Sequence, residues 1–228
     1  MQSKATATPR PNAALPKVQL QNYVVYIFFA VVLGFFAITI GDKGFLSVMN
    51  LFNIARTTAM ITVIAVAMTF VISAGELDLS VGSIAALSAL TCGLMMQAGF
   101  AWPLAVVAAL AAGLIVGSLN GFFVTMIGIP SFLVTLGMMQ FVRGLDMRVT
   151  YTNPIAISDK TFNMIFGSGS LFGIPSLLIW SVAVAFLGFV VLKYTGFGRE
   201  ILATGGNRMA AEYSGVKTRR IKFIAFLL

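Results

Sequence analysis

Long runs of apolar residues constrain this chain more than any other feature of its sequence. Six segments are dominated by apolar residues, at about 23–40, 51–73, 80–98, 101–126, 130–145 and 175–194. About 20 apolar residues in a helix are needed to cross a hydrocarbon layer roughly 30 Å thick. Backbone groups in that layer must pair within a helix or a closed barrel, and these runs lack the two-residue alternation of barrel strands. The sequence therefore predicts an all-α polytopic membrane protein.

The composition argues against other classes of protein. Hydrophobic residues make up 59% of the chain and charged residues only 10%, whereas a soluble domain is about a quarter charged. The sequence contains no histidine and a single cysteine, Cys92. The usual general base and zinc ligand are therefore missing, and no internal disulfide is possible. We expect neither a catalytic site nor a metal site.

The N-terminal residues differ in character from the rest. Residues 1–22 are polar, basic and proline-rich, which predicts a disordered cytoplasmic tail ahead of a transmembrane domain over 23–228. A cleaved signal peptide is the alternative. The apolar run at 23–40 is longer than a typical signal core, and Gly41-Asp42-Lys43 makes a poor cleavage site.

Basic residues predict the orientation in the membrane. With a cytoplasmic N-terminus, the loops inside carry ten basic residues and the loops outside carry four, which obeys the positive-inside rule. The inside residues are Lys4, Arg10, Lys17, Lys193, Arg199, Arg208, Lys217, Arg219, Arg220 and Lys222, and the outside residues are Lys43, Arg143, Arg148 and Lys160. The formal charge of +8 therefore reflects membrane topology, and we expect no nucleic-acid partner.

Two apolar stretches look too short to cross a bilayer. The fifth segment, 130–145, predicts a half-helix or a tilted helix. The sequence "IKFIAFLL" at 221–228 predicts the start of a seventh helix, since eight residues span only about 12 Å at 1.5 Å per residue. This suggests that the chain is a fragment of a longer protein, with an incomplete last helix as the alternative.

The stretch "ISAGELDLSVGS" at 72–83 places two acidic residues between apolar runs. Gly75 suits the left-handed conformation just past a helix end, and Asp78 or Ser80 can cap the next helix by accepting its free amides. Glu76 and Asp78 are two residues apart and so do not share a helix face. We predict a capped turn, with a role in gating or substrate contact as the alternative and Asp78 as the more important acid.

The fourth segment carries small residues at a spacing of four. Gly113, Gly117 and Gly121, extended by Ala105 and Ala109, predict a smooth ridge that another helix can approach closely. A surface along a translocation path is the alternative. Asn120 lies beside this ridge and predicts a hydrogen bond between helices or a contact with the path.

The longest polar stretch after the tail covers 195–222. Asn207 is a good helix cap, Arg208 to Ser214 supply about two turns, and Gly215 suits the end, so a short helix is predicted there. The stretch is either a solvated basic loop at the membrane surface or a docking element for a soluble partner. No G-x-x-x-x-G-K-[ST] motif occurs, so we expect that this chain does not bind ATP through a P-loop.

Several stretches together resemble the permease subunits of sugar-type ABC importers, the group that carries ribose, xylose and galactose. They are "FLSVMNLFNIAR", "AMTFVISAGELDLSVGSIAALSA", "LNGFFVTMIGIPSFLVTLGMMQFVRGL" and "GFGREILATGGNRMAAEYSGVKTRRIK". The resemblance implies a permease subunit of an ATP-driven monosaccharide importer in the bacterial cytoplasmic membrane. Its implied partners are ATP-binding cassette subunits, an extracytoplasmic sugar-binding protein and a second permease copy, the same or different.

The resemblance also implies roles for individual residues. The loop at 195–222 corresponds to the element that couples the permease to its ATPase, with Gly206, Asn207, Ala211 and Gly215 in its motif and Arg208 and Glu212 as exposed contacts. Asp78, Leu79, Ser80 and Gly82 belong to the signature turn. Asn53 and Arg56 are candidates for the path. Many relatives have glycine at the position of Glu76, which implies a tolerated or subgroup feature.

Two other classes of function remain as alternatives. An ion-coupled secondary transporter needs a carboxylate at the membrane midplane, but Glu76 and Asp78 are predicted at a helix end. A membrane enzyme with acidic metal ligands is disfavoured by the missing histidine.

Overall fold

The computed structural model describes residues 23–228, so the tail predicted over 1–22 lies outside the described residues. Ten α-helices occur in this described range: α1 (Val24–Ile40), α2 (Val48–Ser73), α3 (Val81–Gln97), α4 (Trp102–Phe122), α5 (Ser131–Thr150), α6 (Lys160–Phe166), α7 (Ser176–Tyr194), α8 (Gly196–Gly206), α9 (Arg208–Tyr213) and α10 (Thr218–Leu227). A 3₁₀ turn covers Gly41–Lys43, and a π-helical turn, Phe123–Ile127, extends α4.

The predicted fold class is confirmed. Four helical stretches are long and apolar enough to cross a membrane, namely Val24–Lys43, Val48–Ser73, Trp102–Ile127 and Ser176–Tyr194. They correspond to four of the six predicted segments. The third predicted segment is also an apolar helix, Val81–Gln97, but a shorter one.

Of the two forms predicted for the fifth segment, the half-helix is wrong, and the tilted helix stays a prediction. The helix α5 has 20 residues, enough for about 30 Å at 1.5 Å per residue. The predicted segment was too short because Arg143, Asp146 and Arg148 lower the hydropathy of the second half of the helix. The backbone nevertheless continues as helix to Thr150.

The first compact unit reaches from the start of the described range to Leu51. Within it, the rings of Phe36 and Phe45 lie 5.7 Å apart. The Asn50 side chain donates a hydrogen bond of 2.7 Å to the Phe45 carbonyl, which fixes the connection between α1 and α2.

The second unit, Phe52–Leu228, contains an apolar core formed by residues distant in sequence. The buried side chains of Phe70 and Ala74 at the end of α2 pack with Ile201 of α8 and with Ile221 and Ala225 of α10. The side chains of α10 thus belong to the same core as those of α2 and α8. Burial of a Phe or Ile side chain is worth about 1.5–3 kcal/mol in water.

The glycines of α4 lie at close contacts with two other helices. A Cβ atom added at Gly113 would lie 3.2 Å from Ser88 Oγ of α3, and one at Gly121 would lie 2.9 Å from Cδ2 of Phe223 in α10. At Gly117 it would clash with the carbonyl oxygen of Phe226. Two glycines of the ridge therefore face α10, and the third faces α3.

The connection from α5 to α7, residues 151–175, holds α6 and a two-residue hairpin, β1 (Ser170–Leu171) and β2 (Ile174–Pro175), paired antiparallel. Asp159 caps α6 by accepting the Phe162 N–H at 2.7 Å, and the Trp180 indole N–H of α7 donates to the Ile165 carbonyl at 3.0 Å. This small hairpin was not predicted from the sequence.

Candidate functional site

The predicted helix break is confirmed at the turn between α2 and α3, residues 74–80, called here the α2–α3 turn. Helix α2 ends at Ser73, and Gly75 adopts φ +78°, a conformation that glycine reaches without strain. Gly205 near the end of α8 lies directly against this turn. A Cβ atom at Gly205 would clash with the Ser73 carbonyl oxygen, and one at Gly75 would lie 3.4 Å from Gly205 Cα.

Asp78 anchors a buried chain of hydrogen bonds to α4. Its Oδ1 accepts the Ser80 backbone N–H at 2.7 Å and the Ser80 hydroxyl at 2.6 Å. The Ser80 hydroxyl oxygen in turn accepts the Asn120 side-chain amide at 2.8 Å. All three side chains are buried, so loss of any one leaves a polar partner unpaired away from water.

The predicted capping of α3 is confirmed for Asp78, which accepts the backbone N–H of the N-cap residue Ser80, and is wrong for Ser80. Ser80 occupies the N-cap position, but its side chain makes no capping hydrogen bond. The hydroxyl is instead held between Asp78 and Asn120. The sequence suggested the local cap because a residue 40 positions away, Asn120, was not recognised as a partner.

The backbone of Leu77 joins the same turn to the start of α5. Its N–H donates to Ser131 Oγ at 3.2 Å, and its carbonyl accepts from the Thr135 hydroxyl at 3.4 Å. The α2–α3 turn thus contacts the beginning of α5, at the opposite end of that helix from residues 151–175.

Glu76 forms an ion pair with Lys222 of α10. Its Oε1 lies 2.5 Å from Lys222 Nζ, and the two side chains are only 12% and 14% exposed. A pair shielded to this degree is screened less by solvent than a surface pair. The sequence predicts Asp78 as the more important acid, but the structure gives both acids specific partners, and the partner of Glu76 lies 146 residues away.

The polar stretch after α7 contains two helices with side-chain caps. Thr195 Oγ1 accepts the Gly198 N–H at 3.1 Å at the start of α8. Asn207 Oδ1 accepts the Ala210 N–H at 3.0 Å at the start of α9. The predicted short helix and its asparagine cap are confirmed, and Gly215 has the left-handed φ of +86° beyond it. The preceding helix, α8, was not predicted.

Arg208 and Glu212 interact with each other on α9. Arg208 Nε lies 2.9 Å from Glu212 Oε1, and both side chains are about half exposed. The Thr218 hydroxyl donates to the same carboxylate oxygen at 2.5 Å. These hydrogen bonds, from Thr218 first and then Arg208, lower the pKa of Glu212 below its ordinary value. Glu212 thereby connects α9 to the first residue of α10.

Large apolar side chains are exposed on α8 and α9, a pair named here the α8–α9 segment (residues 196–213). Leu202 is 51% exposed, Met209 65% and Tyr213 87%. These residues lie in the polar stretch that follows the apolar helix α7, so hydrocarbon does not account for their exposure. Exposed apolar and aromatic side chains at one place are typical of an interaction surface.

The three candidate path residues lie in different environments. Asn53 is exposed, and Arg56 is half-buried. Within the described residues, Arg56 Nε and Asn120 Oδ1 are buried without a hydrogen-bond partner. The Asn120 side-chain amide donates to Ser80 and so links α4 to the start of α3. This confirms the predicted hydrogen bond between helices. A path role for Asn53 and Arg56 stays a prediction.

The helical fold and the apolar spans define the class of this molecule as a multi-pass α-helical membrane protein. A family profile described as "Branched-chain amino acid transport system / permease component" matches residues 50–228. The chain belongs to this permease family.

Curated relatives share about a third of their residues with the chain. The L-arabinose ABC transporter permease protein AraH of Azospirillum brasilense is 35% identical over all of this chain and 68% of its own length. The ribose import permease protein RbsC of Escherichia coli K12 is 35% identical over 82% of this chain and 59% of its own. The galactofuranose transporter permease protein YtfT of the same strain is 34% identical over 77% and 51%.

These relatives confirm the resemblance to permeases of sugar-type ABC importers. The chain spans between about half and two thirds of the length of the three relatives. No solved structure matches it significantly.

Proposed function

We propose that the chain acts as a permease subunit of an ATP-driven carbohydrate importer in a bacterial cytoplasmic membrane. Its relatives are named as permeases for arabinose, ribose and galactofuranose, which favours a sugar over the amino acids in the family's description. The chain would offer hydroxyl-rich sugars a path through hydrocarbon without covalent chemistry. ATP would be bound and hydrolysed by a separate subunit, with no cofactor in this chain.

The observation that carries this proposal is the exposed apolar surface of the α8–α9 segment. Met209 and Tyr213 lie on a short helix of the polar stretch after α7, where a soluble subunit can reach them. Aromatic and methionine side chains are enriched in protein interfaces. We therefore assign this surface, with Arg208 at its side, to the docking of an ATP-binding cassette subunit.

The contacts behind this surface offer a route from docking to the membrane helices. The end of α8 touches the α2–α3 turn through Gly205, and Glu212 of α9 holds Thr218 of α10. Lys222 lies four residues further along α10 and pairs with Glu76 of the α2–α3 turn. A displacement of the α8–α9 segment would thus act on the turn that begins α3, which is our proposal for the role of Asp78 to Gly82.

The remaining partners follow from the proposed topology. With the N-terminus in the cytoplasm, residues 151–175 would lie outside and help to receive a sugar-binding protein. A second permease copy, the same or different, would complete the path, to which Asn53 and Arg56 are our candidate contributors. An ion-coupled transporter or an enzyme has less support, because Glu76 and Asp78 lie in a turn and are already engaged.

The docking assignment is tested by co-purification with a candidate ATP-binding cassette subunit from the same organism. The double variant Met209→Ser/Tyr213→Ser removes apolar area without touching a buried contact. We expect it to lose association by tenfold or more, as for central aromatic residues of an interface.

The matched control is Tyr151→Ser/Phe172→Ser. It removes two aromatic side chains, 72% and 95% exposed, from residues 151–175, the connection that follows the C-terminal end of α5. This variant should retain the ATPase. Equal retention by both variants would refute the docking assignment, and sugar uptake driven by an ion gradient without ATP would favour the secondary transporter.

A further inference from the structure

A basic cleft opens beside the start of α10, next to the π-helical turn after α4. Its volume is about 520 Å³. Four basic side chains line it, Arg208, Lys217, Arg219 and Arg220, against a single acidic one, Glu212. The cleft therefore carries a strong excess of positive charge.

Most of this charge is available to a ligand. Glu212 is engaged by Arg208 and Thr218. Within residues 23–228, Lys217, Arg219 and Arg220 form no ion pair, and all three are exposed. Three cationic side chains within four residues thus share one opening and lack a protein anion.

The backbone adds to the same preference. Helix α10 has ten residues and begins at this cleft, and its N-cap residue Lys217 makes no side-chain capping hydrogen bond. The amides of a helix N-terminus and its dipole favour an anion. The basic side chains and the helix start therefore attract the same kind of ligand.

The inner wall of the cleft is apolar. It consists of Met126, Val216 and Phe223. Met126 lies in the π-helical turn that ends the apolar span Trp102–Ile127, and its side chain is 59% exposed. The cleft therefore lies where one membrane helix ends and α10 begins, with its basic rim on the polar side and Met126 on the apolar side.

A phospholipid with an anionic headgroup has the matching arrangement of charge and hydrocarbon. Basic pockets between membrane helices at the cytoplasmic surface bind such headgroups, with about 1 kcal/mol per Lys or Arg near the surface. A free phosphate would use the basic rim but leave the apolar wall without a partner.

We propose that this cleft binds an anionic phospholipid, with its phosphate at Arg219, Arg220 and the start of α10, and an acyl chain along Met126 and Phe223. The bound lipid would hold α10 to the end of α4 and so stabilise the contact that Gly117 and Gly121 permit. This proposal requires only that the chain is embedded in a membrane and does not depend on the sugar or the ATPase.

The test titrates the purified 228-residue chain in neutral detergent with phosphatidylglycerol, phosphatidylcholine and inorganic phosphate, and measures bound lipid by native mass spectrometry. The cleft variant is Arg219→Gln/Arg220→Gln. Its control is Lys193→Gln/Arg199→Gln, which removes two exposed charges, one at the end of α7 and one in α8, that do not line the cleft.

We expect phosphatidylglycerol to bind the wild type at least tenfold more tightly than phosphatidylcholine. The cleft variant should lose roughly tenfold or more in affinity and the control less than about threefold, with Lys217→Gln alone falling between them. Equal losses in both double variants would show diffuse surface attraction and overturn the proposal. Displacement of the lipid by equimolar inorganic phosphate would assign the cleft to free phosphate instead.

Discussion

The α2–α3 turn and residues 151–175 connect membrane helices in contrasting ways. The turn is short, and its backbone and side chains contact α4, α5, α8 and α10. The hydrogen bonds described for the longer connection join residues near in sequence, such as Asp159 with Phe162 and Trp180 with Ile165, and it touches another helix through apolar side chains, with Ile155 against Gly93 of α3. One connection is therefore tied to distant helices by hydrogen bonds and an ion pair, whereas the other has local hydrogen bonds and apolar packing.

This difference fits the two proposed tasks. A turn that transmits motion from a docked ATPase needs contacts with several helices at once. A segment that receives a soluble binding protein needs only a locally folded surface. Substitutions in the turn should therefore disturb the whole second unit, and substitutions in 151–175 should act locally.

The largest effect is expected at Gly205. The change Gly205→Ala places a methyl group against the Ser73 carbonyl oxygen and should destabilise the protein by about 3 kcal/mol, at the upper end for overpacking. The loss of stability is measured by thermal unfolding in detergent, with size-exclusion chromatography to monitor the remaining folded protein. The control is the adjacent Gly206→Ala, which has open space around it and should be neutral within about 1 kcal/mol. Similar losses from both changes would contradict the close contact.

Breaking the ion pair should have the next largest effect. The change Glu76→Gln leaves Lys222 largely buried without an anion and should cost about 2 kcal/mol. The double variant Glu76→Gln/Lys222→Gln should cost less than the sum of the two single changes. A double-mutant cycle measures this coupling, and additive effects would mean that the two side chains do not interact.

A smaller and local effect is expected at Asp159. The change Asp159→Ala removes the cap of α6 and should cost about 1 kcal/mol. Hydrogen exchange should show faster opening of α6 while the amides of α8 and α10 keep their protection. Faster exchange in α8 or α10 would mean that residues 151–175 are not locally held.

The smallest effect concerns acid pH. Because hydrogen bonds from Thr218 and Arg208 lower the pKa of Glu212, its contribution is present above the ordinary glutamate pKa and disappears as the pH falls through the lowered value. Unfolding temperatures at pH 7 and pH 3 should therefore differ slightly more for the wild type than for Glu212→Gln. An unchanged difference would remove Glu212 as a link between α9 and α10.

Local features of the sequence were predictable. The break at Gly75, the cap at Asn207 and the ridge of α4 depend on residues within one or two turns of each other. The ion pair of Glu76 with Lys222 and the bond of Ser80 with Asn120 join residues 146 and 40 positions apart. No periodicity reveals such partners, because only the packing of α4 and α10 beside the turn brings them together.

The end of α5 and the presence of α8 were not predicted correctly, for a different reason in each case. Charges near the end of α5 suggested that it stops at residue 145, although a helix end can carry charged side chains towards the membrane surface. No helix was predicted at α8, which begins and ends with glycine, but Thr195 caps its start. Its buried residue Ile201 packs in the core with Phe70 and Ala74, so tertiary packing outweighs a weak intrinsic preference.

Site-specific cross-linking tests the proposed coupling surface most directly. The single cysteine, Cys92, is buried and can be replaced by serine, after which one cysteine is introduced as Tyr213→Cys or as Phe172→Cys. With the ATPase subunit present, a thiol cross-linker of about 10 Å should join Tyr213→Cys to that subunit and leave Phe172→Cys unlinked. Cross-linking from Phe172→Cys, or from neither position in an intact complex, would contradict the account.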